Sequence, residues 1–483
     1  SIRRQRQMGI RDRYNTNQYQ IHDADPATLM KSMIETIVNI QQNDSQMQDQ
    51  MVGQLGGYLC CSNTWSGTNF STFNQSDAWN ATPWNTPFEK IYGNFFQIQE
   101  ATNSTGHYYA FACMIRAITM LRVADCYGPM PYSQVKKGNF YVSYDTQEQV
   151  YTSILSDLAN AADVLYNYYV ETNGNAPLGA NDPVFDGNYS GWAKLANSMR
   201  LRVAMRISGT WPGIAQEAAE AAVTHKAGLI ESNSDNAMLS CGTQSNPYQL
   251  AAVSWGDLRV NANIVDYMNA YGDPRMPKFF NKSTLAGKTD KYVGMRTGDA
   301  DFKKADAAGF SIPAYTATSK LMVFCAKTAK AYYEDGINLS MEQYQVSATE
   351  YLKIDEAPVV SHESDAVQNA TVTITNTVSV MWDDSEADNV NGKNFQRVIT
   401  QKWIANYPLG LEAWAEYRRT GYPELYPCID NLSDCGVSSQ RGMRRLSFPY
   451  TEAQNNKANY DLGVAELGGA DNEATDLKWA KKN

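Results

Sequence analysis

The 483-residue chain has no uninterrupted run of about 18 apolar residues, so its sequence offers no transmembrane helix. Histidine is scarce: His22, His107, His225 and His362 give no i, i+4 pair of the kind that ligates zinc on a helix. The eight cysteines include no C-x-x-C. Cys60 and Cys61 are adjacent, Cys428 and Cys435 are the pair to test for a disulfide, and the others read as buried free thiols. No metal or other cofactor is implied. G-x-S-x-G, H-E-x-x-H and Walker loops are missing, which removes the local signatures of serine hydrolases, zinc peptidases and P-loop enzymes. Acids are plentiful, but no motif singles out the two carboxylates a glycosidase needs. With 41 basic against 51 acidic residues, the formal charge of −10 argues against nucleic acid as a partner. There is no Gly/Ser- or Pro-rich linker and no low-complexity tract. Length alone allows about three domains, and the missing linkers equally allow one.

What the chain does have is aromatic surface, with 30 Tyr and 10 Trp. Hydrophobic residues make up 43%, enough for a sizeable core. The dominant period is helical. Asp145 and Glu148 form an N-terminal capping signal, followed by Val150, Ile154, Leu158, Ala161, Leu165 and Tyr169 on one face. A preceding helix runs from about His107 to Tyr127 and stops at Gly128-Pro129. Trp192, Leu195, Ala196, Met199, Val203 and Ile207 mark a third stripe, and Ile214 to Ala227 an alanine-rich fourth helix. Between about residues 240 and 318 this pattern weakens into a loop-rich excursion. Val372, Ile374, Val378, Val380 and Trp382 alternate with polar residues, the period of a hairpin at about 370–383.

The segment Gln401 to Pro427 places Leu411, Trp414 and Arg418 on one helical face and closes with Arg418-Arg419 and Gly421–Pro423. It resembles the closing segment of the SusD/RagB family, surface lipoproteins that capture nutrients for a TonB-dependent transporter. Further matches follow in the family's order: Asn15-Thr16-Asn17 with Asp25 to Met30, Arg116 to Pro131, Trp192 to Arg206, Asp273-Pro274-Arg275, and Arg444-Arg445-Leu446 through Pro449, Glu452 and Asn455. The resemblance implies one domain over residues 1–483, mainly α. Its scaffold would be tetratricopeptide-like, with a helical body at about 26–235 and 320–460. It also implies export, an N-terminal lipid and an outer-membrane location, none of which the residues from Ser1 onward display. After Lys320 the family's longer alanine-rich helix pair gives way to a short connection between Phe324 and Ala331, so that helix is shortened or residues are omitted.

Arg200, Arg202 and Arg206, and the pairs Arg418-Arg419 and Arg444-Arg445, are read as scaffold cations paired with acids such as Asp125 or Asp157, rather than as an anion site. The stretch Asn63 to Phe88 differs: Trp65, Phe70, Phe73, Trp79, Trp84 and Phe88 sit among Asn, Ser, Thr and Gly with no evident period. Flat rings beside amides and hydroxyls suit a polar ligand with apolar faces, a sugar ring or a peptide. Trp65, Trp79 and Trp84 are the leading ligand contacts, Asn63, Asn69 and Phe70 their neighbours, and Trp255 and Tyr315 a second set. The expected function is capture of an oligosaccharide by a non-enzyme that acts as a lid over a SusC-like transporter. Oligopeptide is the alternative ligand. A surface glycosidase or peptidase, and a structural partner that touches no ligand, are the competing classes.

Overall fold

A computed structural model describes residues 25–139, 141–325, 331–369 and 371–481; Asn15-Thr16-Asn17 lies outside them. Helix α1 (Pro26–Ile34) begins at Asp25, whose carboxylate accepts the Ala27 amide, with Pro26 in the first turn where no N–H is needed. A π-helical stretch, Ser45–Val52, and the turn Gly53–Gly56 lead into strand β1 (Leu59–Cys61). Helices α2 (Asp77–Ala101), α3 (Gly106–Tyr127), α4 (Gln147–Glu171), α5 (Tyr189–Ile207) and α6 (Pro212–Val223) follow, each packed on the next. They form a stack of helix-turn-helix units of tetratricopeptide type. The stripe Val150, Ile154, Leu158, Ala161 and Leu165 is buried as its spacing predicts. The cap of α4 lies one residue later than expected. Thr146 and Gln149 make the capping box, because the Asp145 carboxylate is already taken by the amides of Tyr132 and Ser133.

The excursion carries β2 (Ala237–Leu239), β3 (Leu258–Val260) and α7 (Ala262–Ala270). Then come β4 (Leu321–Phe324), α8 (Ala331–Gln343), β5 (Val360–His362) and β6 (Val372–Ile374). Last are α9 (Lys393–Ala405), α10 (Gly410–Thr420) and α11 (Lys457–Leu467). The strands form three antiparallel two-stranded ribbons, β1–β3, β2–β4 and β5–β6. Two expectations are corrected. The hairpin joins Val360–His362 to Val372–Ile374, so it begins upstream of residue 370; Val378 and Val380 are buried outside any strand. Leu321–Phe324, inside the expected helical body at about 320–460, forms a strand against Ala237–Leu239.

The C-terminal signature segment closes the body. Tyr407-Pro408 and Tyr422-Pro423 are cis, and Gly421 ends α10 in the left-handed conformation. Gly53 and Gly56 let the turn before β1 lie directly against the start of α10, where a Cβ on Gly56 would meet the Gly410 carbonyl at 2.4 Å. Trp403 Nε1 donates to the Gly56 carbonyl at 2.8 Å, and Tyr58 donates to the Trp403 carbonyl.

Arg202, Arg206, Arg419, Arg444 and Arg445 pair with acids, whereas Arg200 and Arg418 form no ion pair among the described residues. Arg206, 2% exposed, pairs with Asp125 of α3 and, at 2.7 Å, with Glu412 of α10. Lys402 and Arg419 both reach Glu416 at 2.9 Å. Asp157 is held by Arg116, Arg445 pairs with Asp471, and Arg444 with Asp476. Among the described residues Arg418 makes no ion pair with a carboxylate; it lies 3.5 Å over the Trp414 ring and donates to the carbonyls of Trp414 and Arg444. Burial lowers it to about 9. All eight cysteines are free thiols, Cys428 and Cys435 included, so the tested pair forms no disulfide.

Removing one member of such a buried network strands its partners' charges. Arg206→Met is predicted to lose about 3–5 kcal/mol of unfolding free energy, measured by urea denaturation. Burial would raise the Glu416 carboxyl, but Arg419, Lys402 and Arg206 hold it well below its usual value. A depressed carboxyl contributes stability above its unfolded pKa, and that contribution fades as pH falls through the folded value. The stability gap between wild type and Glu416→Gln is therefore largest above pH about 4.5 and shrinks on further acidification.

Candidate functional site

The β1–β3 ribbon is antiparallel, with Cys61 opposite Leu258. The exit of β1 (Ser62 to Trp65) and the entry of β3 (Trp255 to Asp257) therefore lie at the same end. Ser62 donates its amide to the Asp257 carbonyl at 2.9 Å and its hydroxyl to the Gly256 carbonyl at 2.9 Å. Asn63 braces the junction: Nδ2 donates to Asp257 Oδ1 at 3.0 Å, while Oδ1 accepts the Trp65 amide at 3.1 Å.

Beyond this brace the chain turns sharply. Trp65, Ser66 and Gly67 have φ of 39°, 63° and 89°, and the Gly67 amide closes the turn on the Thr64 carbonyl at 2.8 Å. Left-handed conformations at two non-glycine residues cost about 1–3 kcal/mol each and persist only where surrounding contacts impose them. Trp65, on this turn, is partly exposed. Trp65 meets Trp79 edge to face, with centroids 5.1 Å apart and planes at 81°. Trp79 also stacks on buried Phe70. Thr64 and Trp255 are half-buried, and Ser66, Gly67, Thr68, Val253 and Ser254 are exposed. The result is an open shelf of indole faces, amides and hydroxyls.

Not every expected contact lies on it. Asp77 to Phe88 is helical rather than irregular, the first three turns of α2, despite Pro83 and Pro87 inside the helix. Its start is fixed by Ser76, whose hydroxyl accepts the Trp79 amide at 3.3 Å. Helical spacing turns Trp84 inward with Phe88. At 4% exposure Trp84 is a core residue, packed against Phe88, Tyr127, Tyr144 and Phe448. Phe70 and Asn69 are likewise buried. Asn69 Oδ1 accepts the Ser71 amide at 2.7 Å and caps the turn that drives Phe70 into the core. Tyr315 packs at 5.8 Å from Tyr248. Burial, with Tyr407, Tyr344 and Tyr248 nearby, holds its hydroxyl pKa well above normal. The partly exposed rings at this end of the ribbon are Trp65, Trp79 and Trp255, a candidate shelf whose two chain segments are joined by Asn63 and Asp257. A separate apolar groove of about 500 Å³, lined by Leu201, Met205, Phe324, Phe395 and Ile399, lies beside α9.

A family model described as "SusD-like: Susd and RagB outer membrane lipoprotein" matches residues 11–480. The chain belongs to the SusD/RagB family. It is similar to a crystal structure of a SusD homologue from Bacteroides uniformis, at 34% identity over 95% of this chain and 100% of that one, with a TM-score of 0.88. A SusD-like protein from Bacteroides thetaiotaomicron is 32% identical over 95% and 99%, at a TM-score of 0.89. A chitin-binding SusD homologue from Flavobacterium johnsoniae is 30% identical over 95% and 99%, at 0.87. No curated protein matches the chain significantly. Among the described residues no helix is long and apolar enough to cross a membrane.

In this SusD-like protein the residues that local sequence did not reveal are Asp257 and Lys304, which pair beside the shelf. The available signal was faint. Trp65 and Trp255 lie two residues and one residue before glycines in the left-handed conformation, Gly67 and Gly256, so both indoles sit at turns. Burial separates the tryptophans by consequence. Trp84→Ala is predicted to cost about 3–5 kcal/mol of stability, whereas Trp65→Ala and Trp79→Ala, at partly exposed positions, cost less. Differential scanning calorimetry of the three variants measures the contrast.

Proposed function

We propose that this SusD-like lipoprotein captures oligosaccharides on the shelf of Trp65, Trp79 and Trp255 and acts as a lid over a SusC-like TonB-dependent transporter at the cell surface. The observation that supports the ligand reading is the partly exposed Trp65–Trp79 pair, carried on a turn with left-handed backbone at Trp65 and Ser66. A pyranose has flat apolar faces and a hydroxyl rim, which match indole faces bordered by amides and hydroxyls. The Flavobacterium johnsoniae homologue, described as chitin-binding, points to N-acetylglucosamine oligomers as the first ligands to try. The transporter partnership and the lipid anchor rest on family membership.

Binding rather than turnover fits the chemistry of the shelf. Its carboxylate, Asp257, is engaged by Gln46, Asn63 and Lys304, whereas hydrolysis of a glycosidic bond requires a free acid and a second carboxylate across the scissile bond.

Isothermal titration with chito-oligosaccharides tests the reading. Saturable binding is expected, and Trp65→Ala and Trp79→Ala are each expected to weaken it at least about tenfold, the 1.4 kcal/mol or more that a lost stacking platform represents. Binding that survives the double variant unchanged would refute the shelf. Binding of oligopeptides but no glycan would replace the ligand class.

A further inference from the structure

We propose that Asp257 is the positioning residue of the shelf and that Lys304 locks it. The inference rests on the shelf being the ligand site. Asp257 gathers segments distant in sequence. Oδ1 accepts Asn63 Nδ2 at 3.0 Å and the Lys304 ammonium, and Oδ2 accepts Gln46 Nε2 at 3.1 Å from the π-helical stretch before β1. Its backbone is fixed at both ends, the amide on the Ala251 carbonyl and the carbonyl on the Ser62 amide, each at 2.9 Å. The carboxylate thus ties together the aromatic loop through Asn63, the turn carrying Trp255, the body through Gln46 and the far end of the excursion through Lys304.

The consequence for the rings follows from order along the chain. Trp255 is two residues before Asp257. Trp65 hangs from Asn63, whose other end is held by Asp257. Rotation of the Asp257 side chain therefore releases the brace under Trp65, while the Trp255 turn stays tied to the same residue through its backbone. Lys304, 43% exposed, restrains that rotation from the solvent side, and its stem covers Gly256, where an added Cβ would meet Lys304 Cε at 3.6 Å. Neither Lys304 nor Gln46 is needed to close the ribbon itself, whose pairing is backbone to backbone. Their placement on one carboxylate is explained by a need to keep two indoles in fixed relation, so that ring spacing is set before ligand arrives.

The test uses the full chain with Asp257→Asn, Lys304→Met, Lys304→Arg and Trp65→Ala, read by chito-oligosaccharide titration, melting temperature and acrylamide quenching of tryptophan emission. Asp257→Asn and Lys304→Met are expected to weaken binding about tenfold, the scale on which loss of an outer hydrogen-bonding partner degrades a site. Quenching should rise as the indoles loosen. Lys304→Met should leave the melting temperature unchanged, and Lys304→Arg should restore affinity. If Trp65→Ala abolishes binding while Lys304→Met binds and quenches like wild type, the positioning role is overturned and the shelf stands. Should Trp65→Ala bind like wild type, the shelf reading fails and this inference falls with it. Asp257→Asn is compared as folded protein, and Lys304→Met, at an exposed side chain, decides the matter alone.

Discussion

The structure depends on a three-residue antiparallel pairing, Leu59–Cys61 with Leu258–Val260, that joins chain segments about two hundred positions apart. So short a ribbon is not stable by itself. It is held from below by buried side chains on both strands and from the side by Asn261, whose amide donates to the Tyr58 carbonyl at 3.0 Å. The closest support comes from the C-terminal signature segment. The glycine turn before β1 rests on the start of α10, and Trp403 and Tyr58 exchange hydrogen bonds with the facing backbone. The most recognisable part of the sequence therefore touches no ligand in this account. It braces the ribbon that presents the shelf.

The same segment ties the two halves of the helical body together. Glu412 and Glu416 of α10 receive Arg206 from α5 and Lys402 from α9, and Arg206 also holds Asp125 of α3. Buried ion networks are weak evidence of net stability, because desolvation offsets much of the attraction. They do fix geometry, since every alternative arrangement leaves a charge unpaired. A stiff body matters for a recognition surface made of rings, because each ring held in place beforehand is entropy not lost on binding.

Most of the helical frame was legible in the sequence. The stripes of α4 and α5 and the stop of α3 at Gly128 are local signals, and local signals are what periodicity reports. Family resemblance carried the rest of the architecture. The errors share a cause. The start of α2 looked irregular because two prolines and a run of Asn and Thr masked a helix that tertiary packing of Trp84 and Phe88 imposes. The hairpin was placed too late because alternation continued past β6 through Val378 and Val380, which are buried without strand partners. Asp257 and Lys304 could not be found at all, since their meaning arises only when β3 is laid against β1. Of three tryptophans grouped by composition, one serves the core and two the surface, and only burial distinguishes them.

If the protein captures glycans as proposed, a sugar ring lies on Trp65, Trp79 or Trp255. A crystal structure of the protein with a chito-oligosaccharide tests it most directly. The account predicts a pyranose face in van der Waals contact with at least one of these indoles and a hydrogen bond from the ligand to the loop of Asn63 to Thr68. A well-ordered ligand bound elsewhere, with the three indoles facing empty solvent, would contradict it.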